Sequence, residues 1–597
     1  MKKKIFYKHP YLTLLAFSAV FALISIFYIN VGDLQHDYTF HLGRLAGLVQ
    51  SFEHGDFLPN LNFAFTSGVG YASPMFYGNW QLYLPALLYL VIPNVLVVYT
   101  FYAFLLTYAL ACAMYFAVVK IGHRPKRALT AAFLSTMVLT WFGYGMTMVA
   151  AFVPLLVYAM YKVLYQNKTN PVLLGVIIGL LIQTHLLSTM VLAFSCLIFV
   201  LLNVKRWSGP KILSFVQSAG IGLVLASGFL IQYFEQAGSQ TFFFHWTARE
   251  YPFKISLLLR TTSLFEAIFR SPYIPMVLVL IFLLTQFKKL KPLSKQLVIV
   301  CVITFLLQTN WIPGISQLKQ TPVMVLQDLR RISFFVPLLV IMACALSMPL
   351  GINRLALILQ TIFYLFGPLL ANVPTADTFE TIAYHQQVFD QSISDPDQAS
   401  FTASGVEYFT VDINPANTIS DTFGIFTDLN NVEITNIEKG YNSLEFDYRV
   451  FDETQPGSFI APRVWYKGYQ IEYSNGGQGS QPALKKIPPT EQQIALYKEK
   501  QKPAVDEEVL YDGKISLEVQ GSGHIRLYYQ KTGWQIFGFV VETMAWIVLG
   551  GYCLWKYLAF KADPNSKLAG WMQNMEERWR DIQFKLTQSL KKKSSSM

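Results

Sequence analysis

Long apolar runs dominate the chain. They fall near residues 11–29, 96–119, 128–144, 146–165, 171–185, 187–203, 213–233, 273–287, 295–310, 333–349, 355–371 and 535–556. Many have about 17–25 residues, the length that crosses a hydrocarbon layer of about 30 Å. Strands do not need runs this long, and soluble amphipathic helices would show polar faces within them. The pattern predicts a polytopic α-helical membrane protein with about 12 transmembrane helices. A further apolar stretch, 81–93, is short. Counted as a full span it would put Arg124 to Arg127 on the wrong side, so it reads as a half-helix or re-entrant piece.

Between 372 and 533 the pattern changes, and apolar runs shorten to strand length. Val406 to Val411, Ser443 to Tyr448, Val464 to Tyr466 and His524 to Tyr529 alternate and are rich in β-branched and aromatic residues, as strands are. Asn475-Gly476-Gly477 and Asp512-Gly513 are hairpin-type turns. A β-rich domain of sandwich or jelly-roll type is expected. The segment 478–508, rich in Gln, Pro and Lys, reads as a loop or a partly disordered stretch. In the tail, 557–597, Leu568, Trp571, Met572, Met575, Trp579, Ile582, Leu586 and Leu590 recur at helical spacing opposite a charged face. This predicts an amphipathic helix lying on the inner leaflet or binding a partner. The expected organisation is a transmembrane region (1–371) with a first outer loop at 31–80, the β-rich domain (372–533), a last span (534–556) and the basic tail.

Composition narrows the class. Of 597 residues, 53% are hydrophobic and 14% charged, and mean hydropathy is +0.37. A soluble protein cannot hide that much apolar surface behind so few charges. The net charge of +11 comes from short basic clusters between apolar runs, such as Lys205/Arg206/Lys211 and Lys288/Lys289/Lys291/Lys295. Membrane proteins place such clusters in cytoplasmic loops. A nucleic-acid partner is therefore excluded and the lipid bilayer expected. Counting crossings from Lys2/Lys3/Lys4/Lys8 puts both termini in the cytoplasm and 372–533 outside, in a bacterial-type plasma membrane. The cysteines at 112, 196, 301, 344 and 553 all lie in apolar segments and form no disulfide or metal pattern. Outside the β-rich domain and the tail, the acids (Asp33, Asp37, Glu53, Asp56, Glu235, Glu250, Glu266, Asp328, Glu542) all fall at or near the outer face. No carboxylate is expected at the midplane, where ion-coupled transporters usually need one.

Candidate chemistry concentrates in the first outer loop. Asp37, His41 and Arg44 are spaced i, i+4, i+7, with Asp33 one turn earlier, so a helix would put them on one face. The acid can serve as a base or metal ligand, and the guanidinium can hold a phosphate. An interfacial helix with a solvated polar face fits the spacing equally well. Downstream, the string from Ser67 to Tyr77 pairs glycines that allow tight turns with aromatic residues.

These strings resemble a known group. Asp37-x-x-Phe40-His41-Leu42-x-Arg44, followed by Gly70-Tyr71-x-x-Pro74-x-Phe76-Tyr77, resembles the GT-C superfamily of membrane glycosyltransferases. More closely, it resembles bacterial membrane proteins labelled 6-pyruvoyl-tetrahydropterin synthase-related and the YfhO-like glycosyltransferases of teichoic acids. Gln183-Thr184-His185-Leu186-Leu187 resembles the family's Thr-His-Leu element. Leu326 to Arg331 resembles its Gln-Phe-Pro-Trp-Arg element, although Asp328 and Leu329 depart from that pattern. The resemblance implies transfer of a sugar from a polyprenyl-phosphate donor to a cell-envelope acceptor: teichoic acid, wall polysaccharide or protein. It implies Asp37 as general base, Asp33 as second choice and His41 as an orienting group. It implies Arg331, Arg330 and Arg44 at the donor phosphate, with Gln327, His185, Tyr71 and Tyr77 lining the substrate site. Direct displacement would invert the anomeric centre. The Asp/His/Asp group could hold a divalent metal ion, while family members using monophosphate carriers often resemble metal-independent enzymes. For His185, a buried hydrogen-bonded histidine is the competing role.

Two other functions fit parts of the sequence. A transporter or flippase for a lipid-linked glycan would carry polar residues along a central path. A non-catalytic scaffold binding envelope polymer would make Asp37 dispensable.

Overall fold

A computed structural model of the chain describes residues 8–26, 38–138, 145–243, 274–307, 331, 334–370, 378–395, 397, 401, 407–411, 413, 421–475, 482–486, 488–500 and 513–561. Asp33, Asp37, Gln327 and Arg330 lie outside these residues. So do the turn residues 476, 477 and 512, and nearly all of the tail.

The described chain is mostly helical, with an antiparallel β region late in the sequence. The longer helices are α1 (Pro10–Ile24), α2 (Tyr38–Glu53), α3 (Tyr83–Tyr89), α4 (Val95–Gly122), α5 (Pro125–Met137), α6 (Phe152–Gln166), α7 (Val172–Thr184), α8 (Leu186–Leu202), α9 (Gly209–Leu225), α10 (Ser227–Ala237), α11 (Ile274–Thr285), α12 (Pro292–Leu307), α13 (Val336–Ser347), α14 (Leu350–Leu370), α15 (Thr378–Ser394), α16 (Glu491–Lys500) and α17 (Gly533–Lys561). Their ends follow local chemistry. Asn94 caps α4, its side chain accepting from the Val97 N–H at 3.0 Å. His123 closes that helix in the left-handed conformation, and Pro125 opens α5 where a missing N–H costs nothing.

Each apolar run of the sequence carries helix, but most of the described helices are shorter than a full span. Two described helices, Val95–Gly122 and Gly533–Leu558, are long and apolar enough to cross a membrane. A third counts if α9 and α10, bent by 72° at Ala226, form one span. Among the described residues that is far fewer than the expected twelve. The run 146–165, for example, is split between a single turn, Gly145–Met148, and α6. The stretch 81–93 holds the end of a short 3-10 helix, Trp80–Leu82, and the seven-residue α3.

The break at Ala226 leaves backbone groups without helical partners, and side chains from elsewhere take them up. The Leu225 carbonyl accepts from Gln183 Nε2 at 2.6 Å and Trp546 Nε1 at 3.1 Å. The Gly228 and Phe229 N–H groups donate to Glu542 Oε2 at 2.8 and 3.4 Å.

The β region is a sandwich of two four-stranded antiparallel sheets. One has the order β1 (Thr427–Asn430), β4 (Gly457–Val464), β7 (Lys514–Val519), β6 (Ala483–Lys486). The other has β2 (Val432–Gly440), β3 (Ser443–Val450), β8 (Ser522–Tyr529), β5 (Tyr469–Asn475). Alternation places Leu444, Phe446, Ile525 and Leu527 of one sheet inward, facing Phe459, Ile515 and Leu517 of the other. Phe446 and Phe459 meet edge to face at 5.5 Å. Two local expectations fail. Residues 407–411 form a turn with a single bridge from Thr410 to Phe242, because Tyr408 sits at φ +69° and breaks the extended backbone. Within 478–508, β6 and α16 stand where a loop was expected.

The sandwich shares one hydrophobic core with the loop after α1. The Val464 N–H donates to the Val69 carbonyl at 3.1 Å, and Phe65 pairs with Phe401. The last turn of α10 is fastened to the same body: Glu235 pairs with Lys467 at 3.0 Å and accepts from Thr532 Oγ1 at 2.6 Å.

Candidate functional site

Helix α2 positions the site. All of its residues are buried except Thr39 and Glu53, so it is a core element rather than an interfacial helix with a wet face. His41 and Arg44 lie one turn apart, and their side chains meet as i, i+3 neighbours do. Arg44 Nη1 lies 3.0 Å from His41 Nδ1. A guanidinium only donates, so Nδ1 accepts and the imidazole proton sits on Nε2. That Nε2 is buried with no hydrogen-bond partner among the described residues, as is Arg44 Nε. Burial, first, and then the Arg44 charge hold the His41 pKa well below its ordinary value, so this imidazole is neutral.

Arg44 is 1% exposed and held on several sides. Its Nη2 donates to the Gly78 carbonyl and, at 2.8 Å, to Asn79 Oδ1. Its guanidinium lies over the Tyr77 ring at 3.9 Å. No described carboxylate lies within ion-pair distance of Arg44.

Tyr77 links this group to the junction of α7 and α8. Its ring centroid lies 4.9 Å from that of His185 and 5.7 Å from that of His41. His185 has extended backbone between the two helices, and its Nδ1 bonds Ser188 Oγ at 2.6 Å. Two glycines make this packing possible: a Cβ at Gly78 would sit 1.4 Å from the Gln183 carbonyl oxygen, and one at Gly145 would sit 1.8 Å from the Tyr77 hydroxyl. Trp80 Nε1 adds a 2.9 Å bond to Thr184 Oγ1.

Arg331 belongs to the same neighbourhood. Its charge and that of Arg44 both act on the His185 ring. Partly exposed, it is the more accessible of the two cations. Tyr71, Tyr102 and Tyr408 complete the surroundings of Arg44. Tyr71 is fully buried and its hydroxyl donates to the Glu407 carbonyl at 2.8 Å, so it acts as a brace. His41, Arg44, Tyr77, His185 and Arg331 therefore converge, although they come from three distant stretches of chain. Asn79, Tyr102, Gly145 and Tyr408 were missed by sequence reasoning. Asn79 follows the Phe76-Tyr77 string directly and could have been included, whereas nothing local marks the other three.

An apolar groove lies between α6, α8, α12 and α13, lined by residues such as Leu156, Met160, Leu192, Cys196, Phe335 and Leu339. Leu192 is two turns along α8 from His185, and Phe335 follows one turn after Arg331. Among the described residues no group of three His, Cys, Asp or Glu side chains could hold a metal ion. No family model matches the chain, and no curated protein matches it.

Proposed function

We propose that this chain is a membrane glycosyltransferase of GT-C type, moving a sugar from a polyprenyl-phosphate carrier to a cell-envelope acceptor. The carrying observation is the grouping of His41, Arg44, His185 and Arg331 with no described carboxylate paired to either arginine. Such a cluster favours an anion, and the neutral His41 offers it an Nε2–H donor. Arg331 takes the donor phosphate, with the buried Arg44 adding charge from behind. The apolar groove suits the carrier's hydrocarbon tail. The acceptor hydroxyl attacks the anomeric carbon and gives its proton to Asp37. The anomeric C–O bond breaks, and the polyprenyl phosphate leaves with that bond's electron pair. The shorter apolar helices, including α1, α7, α8 and α11 to α14, serve as further spans in a multi-pass plasma-membrane topology with 372–533 outside.

The test is Asp37→Asn, which keeps the size and removes the base. In membranes with normal expression, transfer of labelled sugar from polyprenyl-phosphate donors should fall about a hundredfold or more. Wild-type transfer retained by the variant would remove Asp37 from the reaction and make Asp33 the next candidate.

One observation favours transport instead. The α9–α10 pair is broken at Ala226, and Glu542 caps its second half, a feature that transporters use at substrate sites. Movement of a lipid-linked glycan across vesicle membranes without sugar transfer would support that reading.

A further inference from the structure

From Phe57 through Val119 the chain contains no Asp, Glu, Lys, Arg or His. Within this stretch α3 buries Pro85, Ala86 and Tyr89 against the protein, packing on α2 and α4. Tyr89 also bonds Asp390 of α15 through its hydroxyl. The opposite side is apolar and open: Leu84 is 58% exposed and Val91 78%, with Leu87, Leu90 and Ile92 exposed beside them. A second exposed apolar element, the tip at Phe57 and Leu58, stands next to them. Phe57 stacks near Phe52 at 5.2 Å, and its carbonyl accepts from the Tyr83 hydroxyl at the start of α3.

An apolar patch of this kind, with no ionisable residue among its members, is not a surface that water tolerates well. What covers it is indicated by where it leads. Four residues after Val91, α4 begins, one of the two helices long and apolar enough to cross a membrane, and its first turn exposes Val97. The patch and the candidate span therefore form one continuous apolar surface, edged by Trp80 and Tyr83, residue types that sit at the membrane–water boundary.

We infer that α3, the turn 90–94 and the tip at Phe57-Leu58 form a wedge embedded in the outer leaflet, with the lipid bilayer itself as the partner. The wedge fixes the height of the Arg44 cluster. Trp80 directly follows Gly78 and Asn79, which accept from Arg44, and it bonds Thr184 beside His185. The cluster then stands at the membrane surface, within reach of a ligand dissolved in the leaflet. The inference holds whether or not the chain transfers sugar.

The test uses the full-length protein in lipid nanodiscs, with its native cysteines replaced and a nitroxide label placed at Leu84→Cys or Val91→Cys. Both sites are exposed, so the label displaces no packing. Labels at Val97→Cys and at Glu453→Cys, in an exposed sandwich turn, give the lipid and water references. Molecular oxygen should relax the labels at 84 and 91 several-fold more effectively than a water-soluble nickel chelate, as at 97. The reverse preference at either site, as at 453, overturns the wedge. Quenching of Trp80 by brominated acyl chains, read as the difference from Trp80→Phe, gives the same answer without a label. Because both readouts measure depth, their failure is separate from a failure of sugar transfer.

Discussion

The Arg44 guanidinium lies 3.9 Å over the ring of Tyr77, and the same guanidinium donates to the carbonyl of the next residue, Gly78. One cation thus clamps both the face of the aromatic ring and the backbone that carries it. A lysine ammonium cannot reproduce the planar fork that reaches His41, Gly78 and Asn79 together. Arg44→Lys should therefore destabilise the protein by about 1.5–3 kcal/mol, the range for a hydrogen bond to a charged group. Thermal unfolding in detergent measures this, with Arg331→Lys as the comparison at a more exposed cation. An Arg44→Lys protein as stable as wild type would show that the clamp contributes nothing.

Gly145 tests the other side of Tyr77. An added Cβ would lie 1.8 Å from the Tyr77 hydroxyl and 3.0 Å from His185 Nε2. Only the end of one ring has to yield, so the stability cost should stay within about 1–3 kcal/mol. The ring it displaces touches both Arg44 and His185, and misplacement of about 1 Å can cost about a hundredfold in rate. Gly145→Ala should thus abolish most sugar transfer while leaving a folded protein. Gly351→Ala, where the new Cβ meets nothing, should change neither. Equal activity in the two variants would place Tyr77 outside the working site.

His41 predicts a pH dependence with a definite sign. In the folded protein burial, Arg44 and His185 depress its pKa well below the ordinary value of 6.5. The unfolded chain therefore binds a proton that the folded chain refuses. The stability linked to this residue is fully present above about pH 6.5 and is lost as pH falls below it, by up to about 1.4 kcal/mol per pH unit, until the folded pKa is reached. His41→Gln removes the linkage. Unfolding of wild type and variant at pH 7.5, 6.5 and 5.5 should show the wild type losing more stability on acidification. Parallel pH profiles would mean that His41 is charged or exposed in the folded state.

The parts of this arrangement that follow chain-local rules are readable in the sequence. The three-residue spacing of His41 and Arg44 brings them together on any helix, and α2 supplies one. The alternation within Ser443–Tyr448 and His524–Tyr529 becomes β3 and β8, paired in register with Phe446 opposite Ile525. What stays hidden is set by distant contacts. Hydropathy cannot show that α2 is covered by α15 and by Phe401, because these covering residues lie more than 300 positions away. Tyr408 belongs to a stretch that alternates like a strand, yet its left-handed backbone is held by bonds to Phe243 and Tyr466. Apolar runs likewise do not reveal where a helix will break. At Ala226 the break is sustained by Gln183, Glu542 and Trp546, none of them in the broken segment.

Arg463 decides whether the sandwich is an appendage or part of the site. It is 1% exposed, inside the shared core, where its Nη1 donates to the Gly68 carbonyl at 3.0 Å and its Nη2 to the Ser443 carbonyl at 2.8 Å. One carbonyl belongs to the first loop and the other to β3. The loop it grips is strained: Thr66 and Ser67 both hold left-handed backbone, at φ 46° and 53°, ahead of Gly68. Side chains other than glycine adopt that conformation at a cost of about 1–3 kcal/mol each, and they keep it only when the surroundings enforce it. The chain leaving this turn runs through Tyr71 to Tyr77, so what holds Gly68 also aims the aromatic ring under Arg44. Arg463→Met should leave two buried carbonyls without their donor, at about 1–3 kcal/mol each, and should reduce both unfolding stability and sugar transfer. A separate scaffold domain would respond differently: the sandwich would lose stability, while transfer per folded molecule would stay at the wild-type level. Measuring both quantities on the same detergent-purified variant separates the two cases, since only a sandwich that braces the loop couples a mutation at residue 463 to chemistry at residue 44.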